Sequence, residues 1–201
     1  MHVHPHEAAA ILPSVQCFFG LLVARYDEGR YPQDTYGGLL QQFANPQNIG
    51  LAQIESALRW KYARPHPQPL TGAHQQTINR LAGRWHHLLE TQEHEYQIEA
   101  LVDPDQPATD FVSRAFLVHL ISPNDVPIID RFNHRAVRWF IGMVRPSFPL
   151  GGLPQRYEDI VLVDCFMHQL LRVWGQDAPP LTSLDRYLMM FGKHVAPPYG
   201  G

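Results

Sequence analysis

An aspartate just ahead of a run of arginines at helical spacing is the feature of this 201-residue chain best suited to chemistry. The segment reads Pro127-Ile-Ile-Asp130-Arg-Phe-Asn-His134-Arg135-Ala-Val-Arg138-Trp139. Asp130 stands where a helix cap is expected, and Phe132, Ala136, Phe140 and Met143 then follow as an apolar stripe of helical period. Arg131, Arg135 and Arg138 fall on a neighbouring face at i, i+4, i+7, with Arg145 a little beyond. A partly shielded carboxylate can activate water or stabilise developing positive charge, and guanidinium groups in a row can hold phosphates. Each feature also has a structural reading. Asp130 as an N-cap accepts amide protons and favours the helix dipole, while the arginines form a solvated face or pair with acidic neighbours. His119 and His134 lie on either side of Asp130 in the sequence as candidate acid–base groups.

Helices must position these groups. Apolar periodicity and cap residues predict helices over about 8–27, 33–43, 48–62, 73–92, 93–102, 109–121, 131–144, 156–174 and 183–191, the last capped by Ser183 and closed by Gly192. The eighteen prolines sit mainly between these stretches. Alternating prolines make 65–72 an extended connection between N-terminal helices, 1–64, and a C-terminal lobe, 73–201, that carries the candidate site, the whole forming one compact unit. Residues 159–164 alone read as a strand, and they lie inside a longer helical pattern. The expected class is all-α.

Composition narrows the function. A hydrophobic share of 45% with 17% charged residues suits a globular chain, and the net charge of −3 argues against a generally nucleic-acid-coated surface. Arginine outnumbers lysine fourteen to two; Lys61 and Lys193 are the only side chains that could form a Schiff base. Cys17 and Cys165, in apolar company, read as buried free thiols, with one long-range bridge as the alternative. The N-terminus has no basic region, and the apolar run 8–24 is interrupted by Pro13, Ser14 and Gln16, so neither a signal peptide nor a membrane span is expected and the location is cytoplasmic. Among twelve histidines no His-Glu-x-x-His occurs; His2, His4 and His6 make an adventitious metal binder at most, and no metal or cofactor is expected. Phosphate-binding loops, dinucleotide fingerprints and Gly-x-Ser-x-Gly elbows are absent too.

An apolar helix that ends at a proline loop, runs extended through Pro127-Ile-Ile and restarts at Asp130 ahead of basic residues resembles the helix–hairpin–helix DNA glycosylase superfamily. The likeness covers about thirty residues closely and the all-α order of the C-terminal half more loosely. It implies a two-lobed helical fold, DNA as partner, base-excision repair as the setting, and a catalytic role for Asp130 as the flipped base departs. Arg131, His134, Arg135 and Arg138 would then contact DNA. The 103–110 turn, where that family carries Gly-x-Gly, has no glycine and three aspartates, and no lysine lies just after it, so the activity implied is monofunctional and uses water. The alternative is a helical binding module that keeps the architecture without catalysis.

Overall fold

The structure is a computed structural model and describes residues 2–64, 66–102 and 110–197. Nine α-helices and two short 3-10 turns make up the regular structure of these residues, with no strand among them. The expected all-α class is what is found. Two compact units divide the chain: Met1–Tyr26 with Ile129–Gly201, and Asp27–Ile128. The proline-rich connection, read as a lobe boundary, falls inside the second unit, between two helices that pack on each other.

That unit contains α2 (Gln33–Phe43), α3 (Leu51–Lys61), α4 (Gly72–Leu88), α5 (His94–Ala100) and α6 (Phe111–Ile121). The sequence Phe-Val-Ser-Arg-Ala-Phe-Leu-Val-His-Leu-Ile makes α6 apolar nearly all round, and nine of its eleven residues are buried against α2, α3 and α5. Arg114 is buried there with 1% exposure. Its Nε meets Asp110 at 3.1 Å and its Nη1 donates to the Ile98 carbonyl at 2.8 Å, while Arg80 takes the other Asp110 oxygen at 2.5 Å. Every charge in this cluster therefore has a partner, the condition for tolerating it in a core. α3 is preceded by Gly50 at its N-cap position, and the expected cap Asn48 belongs to an earlier 3-10 turn.

The other unit contains α1 (Pro5–Val23), α7 (Arg131–Val144), α8 (Tyr157–Trp174) and α9 (Leu181–His194). α1 starts earlier than its apolar run because Pro5 suits the first helical position and Glu7 reaches back to the His4 amide at 2.8 Å. Glu7 also pairs through both oxygens with Arg145, whose hydrogen bonds hold the Glu7 carboxyl down at about 2. By length and composition alone α1 is long and apolar enough to cross a membrane, at a mean hydropathy of 1.4, although Pro13, Ser14 and Gln16 interrupt the apolar run and no span was expected there. Only 28% of that stretch is buried in the protein, through Glu7, Ala8, Ile11, Val15 and Leu22.

Both cysteines are free, but Cys17 is exposed rather than buried, because it sits on the side of α1 away from that apolar row. Gly192 also departs from expectation: it lies within α9, which runs on to His194. A Cβ there would stand 1.8 Å from the backbone oxygen of Phe132, so only glycine lets α9 approach the first turn of α7. α7 and α9 form the most extensive helix pair in the molecule.

Candidate functional site

Asp130 opens α7 in an extended conformation, φ −144° and ψ 175°, which carries the chain out of Pro127-Ile-Ile into the helix. Its Oδ1 accepts the amide protons of Phe132 at 2.6 Å and Asn133 at 2.9 Å. The Asn133 side chain completes the cap by accepting the Asp130 amide proton at 2.9 Å. Oδ2 carries no hydrogen bond among the described residues, and the side chain is half-buried. One carboxylate oxygen is thus anchored at the positive end of a helix while the other keeps its lone pairs.

Asn133, 1% exposed, also organises a second carboxylate. Because its Oδ1 faces an N–H donor, its Nδ2 must point away, and it donates to Asp185 Oδ1 of α9 at 3.0 Å. Asp130 and Asp185 are therefore held by the same residue, one through its main chain and one through its side chain. Neither Asn133 nor Asp185 was singled out in the sequence. The Asp-x-x-Asn spacing of a capping box could have pointed to Asn133, whereas Asp185, fifty-two residues on, leaves no local signal.

The candidate DNA-contacting residues separate into three kinds. Arg131 is exposed, its guanidinium 4.6 Å from the Phe132 ring centre. Arg135 and Arg138 are engaged at home: Arg135 donates to the Gly192 carbonyl at 3.2 Å, and Arg138 donates to the Pro149 carbonyl while lying over Phe148. His134 corrects the expectation, since it is completely buried and cannot reach a phosphate. Its Nε2 lies 3.3 Å from Asp159, which also accepts the Gln155 and Arg156 amide protons ahead of α8. Burial pushes the Asp159 carboxyl up, but His134 and those amides outweigh it and leave it below the ordinary carboxylate value.

Neither family models, curated proteins nor solved structures contain a match to this chain. Charge is nevertheless unevenly shared. The unit with Asp130 has nine Arg and Lys against seven Asp and Glu, and the other has seven against twelve. Arginine-bearing α7 thus belongs to the basic unit. The acidic turn expected at 103–110 lies outside the described residues except for Asp110, whose carboxylate is taken up by Arg80 and Arg114. No group of three or more metal-ligating side chains occurs among the described residues.

His119, the other flanking histidine, belongs to α6. Its Nδ1 faces the Val126 carbonyl at 2.5 Å, so that nitrogen carries the proton and Nε2 accepts from the Tyr36 hydroxyl at 2.6 Å. Burial is the main force holding His119 down at about 4, so it is neutral at pH 7. The unfolded chain binds this proton more readily than the native chain. Stability linked to His119 is therefore complete above about pH 6.5 and declines as pH falls toward 4, by about 2 kcal/mol between pH 7 and 5. Urea unfolding of the wild type and His119→Gln at both pH values is expected to show a clearly flatter pH dependence for the variant; equal dependence would exclude His119 as the titrating group.

Proposed function

We propose that this chain is a monofunctional DNA N-glycosylase-like protein of helix–hairpin–helix type, acting on a modified base through Asp130. The observation that supports this reading is the half-buried Asp130 carboxylate, fixed by its cap through Oδ1 and without a hydrogen bond at Oδ2 among the described residues. In this reaction the bond between C1′ of the sugar and the base nitrogen breaks and its electron pair leaves with the base. Water oxygen bonds to C1′, and Asp130 accepts the proton that water gives up or first stabilises the oxocarbenium charge. The arginines of α7 carry the phosphate contacts, Arg131 foremost because it is exposed. No Schiff-base step is included, since neither Lys61 nor Lys193 lies just after the 103–110 turn.

The second reading, a helical module that binds without cutting, is favoured by a different observation: Arg135 and Arg138 already bind carbonyls of their own chain. Asp130→Asn separates the two. Asparagine caps a helix about as well as aspartate, so the fold is kept and only the charge is lost. Base release from a panel of damaged duplexes is expected to fall by about 100-fold or more in that variant. Asp130→Ala is expected to lower stability by about 1 kcal/mol as well. Release unchanged in Asp130→Asn removes Asp130 from the chemistry. Salt-sensitive DNA binding without release of any base assigns the chain to the second reading.

A further inference from the structure

The close approach at Gly192 brings together basic residues that are far apart in the sequence. A Cβ on Gly192 would stand 3.0 Å from the Phe132 Cα as well as against its carbonyl. Arg131 and Lys193 are the chain neighbours of these two residues. Each is one Cα step away, so their Cα atoms are no more than about 12 Å apart. Both are exposed, as is His194 beside Lys193. The Lys193 ammonium makes no hydrogen bond or ion pair among the described residues. Arg135, one turn along α7, donates to the Gly192 carbonyl at 3.2 Å and pins the end of α9 there. The carboxylates of this corner face inward: Asp130 Oδ1 holds the cap amides and Asp185 Oδ1 accepts from Asn133.

We propose that Lys193 and Arg131 form a clamp for the phosphate backbone of duplex DNA, with His194 as a further N–H donor at its edge. The proposal rests on the reading of this chain as a DNA-acting protein and adds the last turn of α9 to its contact surface. Of the α7 row only Arg131 is exposed, since Arg135 and Arg138 are bound to carbonyls. Lys193 supplies the second cation that α7 alone lacks. Charge selects the partner: one acidic side chain satisfies one cation, whereas two cations from different helices match a strand with phosphates in succession. The unit that carries them is also the basic one. Arg131 directly follows Asp130, so a strand gripped there runs past the carboxylate that the reaction uses. Glycine at 192 permits the arrangement, because any side chain would push α9 away and part the two cations.

Fluorescence anisotropy of a labelled, undamaged duplex, titrated with the full chain at several salt concentrations, tests the clamp. Lys193→Gln is expected to weaken binding and to flatten the log–log salt slope by about 0.9, the share of one phosphate contact. Arg131→Gln is expected to do the same, and the double variant to flatten it by about twice as much. Lys193→Arg keeps the charge and is expected to keep the slope. The control is Arg172→Gln, an exposed arginine about 20 Å along α8 from Asp159, which is expected to change nothing. A Lys193→Gln slope equal to that of the wild type overturns the proposal, and a lowered melting temperature alone makes Lys193 a partner of the α9 dipole. Displacement of the duplex by polyglutamate at equal charge concentration overturns it in favour of an acidic protein. Wild type that binds no duplex overturns clamp and glycosylase reading together. A slope that falls in Lys193→Gln, with base release unaffected by Asp130→Asn, upholds the clamp and removes the chemistry assigned to Asp130.

Discussion

Gly192→Ala is expected to be among the most destabilising single substitutions in the chain, even though alanine is the better helix former. In an open helix the exchange gains up to about 1 kcal/mol. At Gly192 the new carbon would stand 1.8 Å from the Phe132 oxygen and 2.6 Å from its carbonyl carbon, both main-chain atoms with no rotamer to turn aside. α9 must then retreat from α7 by more than an ångström, opening the most extensive helix pair and stretching the bond from Arg135 to the Gly192 carbonyl. A loss of about 4 kcal/mol or more is expected. Gly83→Ala in α4, where nothing stands within 4 Å of the added carbon, is the internal control and is expected to stabilise. Urea midpoints of the two variants should move in opposite directions; a Gly192→Ala midpoint equal to that of the wild type would refute the close approach. The contact also bears on Asp130, because Phe132 supplies one of the two amides that hold its carboxylate.

Arg114→Leu is expected to cost about 3–5 kcal/mol, the usual result of removing one side of a buried ion pair. The substitution keeps apolar bulk in α6 but leaves the Ile98 carbonyl without its donor and Asp110 with Arg80 alone. Arg114→Lys is expected to recover little. One ammonium cannot reproduce the fork that meets a carboxylate with Nε and a carbonyl with Nη1. Thermal unfolding checks this, with the melting temperature expected to drop by about 10 °C or more. Double substitution with Asp110→Asn tests the mechanism, since removing both charges should cost less than the sum of the single changes.

The helices were legible because their signals are local. Apolar periodicity and the prolines between helices place α2 and α7 at the expected residues. The Asp130 cap was equally readable, because a cap is written within four residues. What escaped depends on distant partners. Gly192 looks like a helix stop, and only the position of Phe132 reveals it as a contact. His134 sits among arginines on a basic helix, yet the turn of that helix sends it inward to Asp159, twenty-five residues away in sequence. Arg135 and Arg138 read as a free row, while the carbonyls that occupy them come from α9 and from the loop after α7. The division of the chain escaped for a similar reason. Prolines mark extended backbone, and in 66–72 that backbone turns between neighbouring helices of one unit.

The order in which the ribosome delivers these pieces follows from that division. Asp27–Ile128 is continuous and emerges as a block, so it can collapse while synthesis continues. α1 emerges before it, but its partners α7, α8 and α9 begin only at Arg131. At about 5–20 residues per second, its uncharged segment waits on the order of ten seconds for the surface that will shield its inner row. A nascent chain stalled after Ile128 should therefore present a folded body with an unshielded greasy helix at its leading end, the form most in need of a chaperone.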